Sequence, residues 1–245
     1  MSRILAFVDD SHLGSAVRQA ATALADLFDI GVEEVTVTDP AGAPSPEPEA
    51  ALLSHLEAGD VAMGVLGIRD LAAKPELVGH VAAQLLTDSP VPLVLVPPAD
   101  GELPAGEQRW LLPLDGSADT DGALLPMAGR LRDAGARIEV LHVYSSQTIP
   151  RFIESSGDLE VLASEFLLRH VPGVGDDCQL RLGDPGQEIL DRARSGDIDG
   201  VIVAWQQDFS PGRAEVVRRL LRELRLPLLV VPMTDGRSGD GASDG

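Results

Sequence analysis

The chain contains the same helix-and-strand ending twice, 135 residues apart. Residues 92–97 (Pro-Leu-Val-Leu-Val-Pro) recur as residues 227–232 (Pro-Leu-Leu-Val-Val-Pro). The segments before them also match, at the spacing of an amphipathic helix: Val81, Ala82, Leu85 and Leu86 correspond to Val216, Val217, Leu220 and Leu221. A repeat of this length indicates two whole domains rather than a solenoid of short units. Function must therefore be considered separately for each half.

Length and charge restrict the class of protein. A chain of 245 residues is long enough for two domains of roughly 100–150 residues, each with its own core. The net charge is −20, from 39 acidic and 19 basic residues, and this charge repels phosphate backbones. We therefore expect no nucleic-acid partner.

The sequence carries no targeting, metal-binding or disulfide pattern. No apolar run approaches the roughly 20 residues that a membrane helix needs, and the first residues lack a signal-peptide pattern. The single cysteine, Cys178, excludes an internal disulfide, and the five histidines have no metal-binding spacing. We therefore expect a cytoplasmic protein with no membrane contact, no bound metal and no catalytic residue.

Strand-like and helix-like segments alternate through both halves, which predicts parallel sheets with crossover helices. In the first half, strands are predicted at 4–8, 32–37, 61–66 and 93–96, and helices at 16–27 and 49–56 before the repeated helix. In the second half, strands are predicted at 110–114, 138–143, 179–182, 201–204 and 228–231, and helices at 123–132, 159–169, 187–194 and 213–224.

The two halves differ in length. Their first strands lie about 106 residues apart, whereas their last strands lie 135 residues apart. The first half is therefore predicted to lack about one helix-plus-strand unit. We predict a shortened domain at 1–98, a linker at 99–108, a complete domain at 109–233 and a disordered tail at 234–245, which is rich in Gly, Asp and Ser.

Similar short motifs follow the first strand of each half, Asp9-Asp10-Ser11 and Asp115-Gly116-Ser117. Both resemble the first-strand signature of the universal stress protein family. Residues 79–96 resemble the last helix and strand of that family, and residues 183–190 resemble the turn into its third helix. The chain is thus identified as a tandem pair of universal-stress-protein-like domains. The resemblance implies an α/β fold with two open parallel sheets, of the adenine-nucleotide alpha-hydrolase-like, Rossmann-like class.

The resemblance also implies how the two halves associate. Family members typically dimerise through their last strands, and an exposed apolar edge strand favours such pairing. We therefore predict that residues 93–96 pair antiparallel with residues 228–231, which would make the chain an intramolecular pseudo-dimer. The sequence does not decide whether the chain also forms a homodimer or binds a separate protein partner.

Nucleotide-binding members of the family carry a phosphate motif, G-x2-G-x9-G-[ST], after the fourth strand. Glycines in such a loop let the backbone approach an anion, and amides at a helix N-terminus face it. The first half has an altered version of this motif. Gly64 and Gly67 supply the first two glycines, but 11 residues instead of nine separate Gly67 from Gly79. His80 replaces the Ser or Thr that follows the last glycine. A second register begins at Gly67 and places Asp70 at the second glycine. The same glycines are also typical of tight turns and close packing.

The first half is therefore the predicted location of an adenine nucleotide, ATP or AMP. The position of Asp9 matches one that lines the adenine–ribose pocket in the family, although Asp-x-Ser before a helix is also an ordinary N-cap. The candidate nucleotide-binding residues are Asp9, Asp10, Ser11, Gly64, Gly67, Gly79 and His80.

The second half departs further from the phosphate motif. Its corresponding loop begins Ala204-Trp205-Gln206-Gln207, with no glycine, and Glu215 stands where the first half has His80. A carboxylate at the anion position argues against phosphate binding there. Trp205 is predicted to pack in the core or, alternatively, to fill the space that a nucleotide would occupy.

Two functions remain after other α/β proteins are compared. A response-regulator receiver would need a lysine at the end of the last strand, and a dehydrogenase would need G-x-G-x-x-G after the first strand; neither is present. The first hypothesis is a stress-response regulatory protein that binds an adenine nucleotide weakly in its first domain only. The alternative is a nucleotide-free interaction or regulatory module that keeps the fold. Neither hypothesis makes the protein an enzyme.

Overall fold

The computed structural model describes residues 2–9, 12–36, 48–68, 80–98, 102–145, 156–210 and 214–233. The first half contains β1 (Arg3–Val8), α1 (His12–Phe28), β2 (Gly31–Thr36), α2 (Pro48–Leu56), β3 (Val61–Gly67), α3 (His80–Asp88) and β4 (Leu93–Val96). The second half contains β5 (Arg109–Pro113), α4 (Ala118–Asp133), β6 (Arg137–Tyr144), α5 (Ser156–His170), β7 (Asp177–Leu182), α6 (Pro185–Ala193), β8 (Gly200–Trp205), α7 (Glu215–Glu223) and β9 (Leu228–Pro232).

The strands form one continuous sheet through both halves, in the order β2-β1-β3-β4-β9-β8-β5-β6-β7. All neighbouring strands are parallel except β4 and β9, which pair antiparallel with Leu93 opposite Val230 and Leu95 opposite Leu228. The predicted pairing of the last strands is therefore confirmed. Because each half covers the open edge of the other, neither last strand is left as an apolar edge.

The two halves differ at the outer edges of the sheet. Within the described residues, the first half has no counterpart of α5 and β7, as the unequal repeat offsets predicted. Strand β2 therefore lies at the edge, with five of its six residues exposed. Its counterpart β6 lies between β5 and β7, and residues 138–142 within it are buried. Loss of one crossover unit thus converts an interior strand into an edge strand.

Several helices begin earlier than their apolar patterns predicted, and α4 shows the largest difference. Helix α4 starts at Ala118 rather than 123, because the Ser117 hydroxyl accepts a hydrogen bond from the Thr120 backbone N–H. Its first turn carries Asp119 and Asp121, which suit the positive end of a helix but have no apolar periodicity. A capped polar turn is therefore invisible to a search for apolar spacing.

Apolar side chains fill both faces of the sheet, and each layer crosses the junction of the halves. Leu93 and Leu228 belong to the layer beneath α2, α3, α6 and α7, whereas Val94 and Leu229 belong to the layer beneath α1 and α4. Trp110 is fully buried and its Nε1 donates a hydrogen bond to Gln108 Oε1 at 3.0 Å. Trp110 therefore packs in the core.

Matching ion pairs connect the strands in both halves. In the first half, Arg3 pairs with Glu33 and with Asp60. At the corresponding positions of the second half, Arg109 pairs with Glu139 at 2.6 Å and with Asp197 at 3.1 Å. The repeat therefore extends to polar contacts between strands, and not only to apolar residues.

No helix within the described residues is long and apolar enough to cross a membrane.

Candidate functional site

Each half has a cavity where its parallel strands end, the position at which open α/β sheets bind ligands. The first cavity has a volume of about 350 Å³ and lies between the ends of β1 and β3 and helices α1, α2 and α3. Asp9 and Gly67 line it, together with Val81 and Ala82 from the first turn of α3. The remaining wall is apolar and contains Phe7, Val8, Leu13, Val17, Pro48, Leu52, Leu66, Ile68 and Leu85.

The second cavity has a volume of about 400 Å³ and lies at the equivalent place in the second half. Asp115 follows β5, Ala204 lies near the end of β8, and Glu215 begins α7. Thr120 and Gln206 are the uncharged polar residues of its described wall. The two cavities therefore share an architecture and differ in the residues at their mouths.

The sheet register fixes which residues correspond between the two halves. Gly67 lies opposite Val96 in the β3–β4 pair, and Ala204 lies opposite Val231 in the β8–β9 pair. Val96 and Val231 are the same position of the repeated ending. Gly67 therefore corresponds to Ala204, and the residue after each, Ile68 or Trp205, is likewise equivalent.

Gly64 lies inside β3 and does not line the first cavity. It pairs with Leu5 on one side and Leu93 on the other. A Cβ atom added at Gly64 would lie 2.9 Å from Cδ2 of both Leu56 and Leu93, closer than packed side chains allow. Close packing thus explains why a glycine is present at position 64. If the phosphate motif began at Gly64, the first residue of the motif would lie within the sheet.

The structure describes some of the other candidate nucleotide-binding residues. Asp9 and Gly67 are brought together at the first cavity. His80 is the first residue of α3, just as Glu215 is the first residue of α7. The candidates Asp10, Ser11 and Gly79 lie outside the described residues, and so does Asp70 of the second register.

Helix α2 contributes residues to the first cavity that the motif search missed. Pro48 and Leu52 line it, and the residues 137 positions later, Pro185 and Ile189, line the second cavity. The sequence contained this signal as a Pro-x3-Leu/Ile repeat. Its offset differs from that of the last strands, so that a search at a single offset does not find it.

Trp205 forms part of the wall of the second cavity and joins the two halves. Only 2% of its surface is exposed, and its Nε1 donates a hydrogen bond to the Leu86 carbonyl of α3 at 2.7 Å. Its ring lies 4.6 Å from the Phe209 ring. The predicted core packing of Trp205 is confirmed. The second cavity nevertheless keeps about 400 Å³, so Trp205 lines this space rather than filling it.

A stack of aromatic rings lies on the other side of Asp115, beside a third cavity of about 240 Å³. The Phe166 ring lies 4.4 Å from His142 and 4.5 Å from His170. His142 Nδ1 is 2.8 Å from the Leu114 carbonyl at the end of β5. Burial lowers the pKa of His142, which favours the neutral ring. His142 therefore has a structural role, in which it joins β6 to the end of β5.

Comparisons with known proteins agree with this architecture. The universal stress protein family model matches residues 107–232. A crystal structure of a universal stress protein from Archaeoglobus fulgidus DSM 4304 matches 95% of this chain and 98% of that chain, with 15% identity and a TM-score of 0.68. A putative universal stress protein from Pseudomonas aeruginosa UCBPP-PA14 matches 95% of this chain and 93% of that chain, with 15% identity and a TM-score of 0.64.

Shorter proteins of the same kind match about half of the chain. A universal stress protein from Archaeoglobus fulgidus, solved in complex with dAMP, covers 51% of this chain and 97% of that chain, with 17% identity and a TM-score of 0.35. No curated protein matches the sequence. The matched residues 107–232 are more than half of the 245-residue chain, and they include the whole strand–helix alternation of the second half. The chain therefore belongs to the universal stress protein family.

Proposed function

We propose that this protein is a stress-response regulator that binds an adenine nucleotide in its first half only. The observation that supports this proposal is the first cavity, which combines apolar walls, one carboxylate and a glycine at the end of a strand. We expect this function to be exercised in the cytoplasm, by binding rather than by catalysis.

The walls of the first cavity suit a purine nucleoside. Ligand pockets typically have volumes of about 300–1,000 Å³, apolar walls and a few polar groups that fix orientation. This cavity, at about 350 Å³, lies at the small end of that range. The base would pack among side chains such as Leu52, Leu66 and Val81, and the Asp9 carboxylate would accept hydrogen bonds from ribose hydroxyls.

The end of the cavity nearest α3 suits a phosphate group. The first backbone N–H groups of a helix point outward and carry partial positive charge, so that a helix N-terminus favours an anion. Helix α3 begins at His80, a residue without negative charge at neutral pH, whereas α7 begins at Glu215. In the second half, the Glu215 carboxylate is itself an anion at the helix N-terminus. A Cβ atom added at Gly67 would lie 3.1 Å from Leu13 Cβ and 3.4 Å from Val17 Cγ2, so this glycine lets α1 pack closely against the end of β3 at the cavity wall.

Calorimetry with ATP, AMP and cyclic AMP, each at up to millimolar concentration, tests the proposal. We expect one equivalent of nucleotide to bind the wild-type chain. His80→Glu copies the second half into the first and should weaken binding at least tenfold, because it adds a carboxylate beside the phosphate. Glu223→Gln, which removes a charge from the last turn of α7, is the control and should bind as wild type. Equal affinity of all three proteins would contradict the phosphate assignment.

The second candidate function is a nucleotide-free interaction or regulatory module. It is favoured by one observation: the only charged side chain in the described wall of the first cavity is Asp9, which repels phosphate unless the base and ribose hold the ligand in place. The same titrations separate the two functions. Absence of heat with every nucleotide at millimolar concentration would remove the first proposal and leave the second.

A further inference from the structure

The second cavity remains open although the phosphate motif around it is lost. Its volume is about 400 Å³, against about 350 Å³ in the first half. Trp205, the residue large enough to fill it, packs against Phe209 at one wall. There is consequently room for a ligand of the same size as a nucleoside, but the groups that would recognise it are different.

The charge at the mouth of the second cavity is negative. Asp115 and Glu215 line it and are exposed, and its described wall contains no lysine, arginine or histidine. One carboxylate oxygen of Asp115 accepts a hydrogen bond from the Ser117 backbone N–H at 2.9 Å, which holds this side chain in place. Two carboxylates repel an anionic ligand and attract a cationic one.

The inner wall of the second cavity is apolar and includes an aromatic ring. Leu114, Leu141, Ile189 and Val203 line it together with Trp205. The single hydrogen-bond donor of the indole is already used by the Leu86 carbonyl. The ring therefore has no free polar group to offer a ligand, and aromatic rings of this kind favour flat apolar groups and cations.

We propose that the second cavity binds a small organic cation with a flat apolar body. The charged amine would lie at the mouth near Asp115 and Glu215, and the body would pack along the apolar wall that contains Trp205. This inference is independent of nucleotide binding in the first half, because it rests on the residues of the other cavity.

Three probes of similar size and different charge test this inference on the full chain at neutral pH. They are 2-phenylethylamine, which carries a positive charge, 2-phenylethanol, which carries none, and phenylacetate, which carries a negative charge. Calorimetric titration should give the tightest binding for the amine and the weakest for phenylacetate. Equal or tighter binding of phenylacetate would overturn the proposal, and so would the absence of saturation by the amine at roughly 10 mM.

Two glutamine variants on the same helix separate a local charge effect from a general one. Glu215 is exposed, so Glu215→Gln should leave the fold intact. We expect it to weaken amine binding about twofold to fivefold and to leave 2-phenylethanol unchanged, as for one solvated ion pair. Glu223→Gln removes the same charge from the other end of α7 and should leave both affinities unchanged. Equal losses in the two variants would overturn the site.

Tryptophan emission reports the location of the amine. Trp205 lines the second cavity, whereas Trp110 is fully buried elsewhere in the core. The amine should change the emission with the same midpoint as the calorimetric titration. Saturable heat without any change in emission would show that the amine binds elsewhere and would contradict the proposal.

Discussion

The two halves of this protein share their interior and differ at the mouths of their cavities. The ion pairs of Arg3 recur at Arg109. At the strand ends, by contrast, Gly67 corresponds to Ala204 and His80 to Glu215. The comparison shows that a duplicated scaffold constrains the residues that pack or pair between strands. Residues at the mouths of the two cavities have diverged.

Burial also differs between equivalent charges. Glu139 and Glu33 are equivalent glutamates that pair with equivalent arginines, but the side chain of Glu139 is 1% exposed and that of Glu33 is 48% exposed. Glu139 also receives two hydrogen bonds from Arg192, at 2.5 Å each, and the first half has His55 at the position of Arg192. Completion of the sheet by β7 thus encloses an ion cluster that stays at the surface in the shorter half.

The buried Glu139 should contribute far more to stability than the exposed Glu33. Glu139→Gln removes the buried carboxylate that pairs with both Arg109 and Arg192, and Arg192 keeps only its pair with Asp197. This loss should lower the free energy of unfolding by about 3–5 kcal/mol. Glu33→Gln should lower it by less than about 1 kcal/mol, because that pair is solvated. Denaturant unfolding of both variants measures the difference. Similar losses would show that burial does not separate the two clusters.

A smaller effect is expected at the contact between the halves. Trp205→Phe keeps a six-membered aromatic ring and removes the five-membered ring whose N–H binds the Leu86 carbonyl, leaving a buried acceptor without its partner. We expect a loss of about 1–3 kcal/mol in the free energy of unfolding. The matched control is Ile68→Val at the equivalent position of the first half, where the loss should be about 0.5–1.5 kcal/mol. A Trp205→Phe variant as stable as wild type would show that the hydrogen bond contributes nothing.

A smaller effect on stability is expected from the pH dependence of His142. Its counterpart in the first half is Thr36, which does not titrate. Burial lowers the pKa of His142 below its value in the unfolded chain. The stability it contributes is therefore fully present above the unfolded pKa of about 6.5, and is lost as the pH falls through the lower folded pKa.

His142→Gln removes this proton linkage. The difference in free energy of unfolding between wild type and this variant should shrink as the pH is lowered from 7 towards 5. Denaturant unfolding at several pH values checks the trend, and Thr36→Val serves as a control that should show no such trend. A difference that stays constant with pH would contradict the assignment.

Much of the fold follows from the sequence because the repeat is a property of the core. The spacing of Val81, Leu85 and Leu86 predicted a helix, and the repeated strand predicted the antiparallel junction that β4 and β9 form. The absence of one helix-plus-strand unit from the first half was predicted from the unequal offsets of the first and last strands. The start of α4 was not predicted, because its first turn is stabilised by the Ser117 cap and two aspartates and contains no apolar pattern.

The candidate site was harder to predict because it draws on separated elements. Gly64 and Gly67 look alike in sequence, and only the strand register shows that the first lies in the middle of β3 and the second at its end. The His142–Phe166–His170 stack joins β6 to α5, and its spacing matches no short motif. Contacts of this kind depend on how elements pack, which a linear pattern does not contain.

The antiparallel junction of β4 and β9 has a consequence for how this protein evolves. In a dimer of identical subunits, every substitution appears at both sites, and association falls off on dilution. Here both halves are in one chain and remain together at any concentration. A substitution at one cavity, such as glutamate in place of histidine, leaves the other untouched. Covalent fusion therefore allows one protein to hold two specialised sites that no symmetric dimer could maintain.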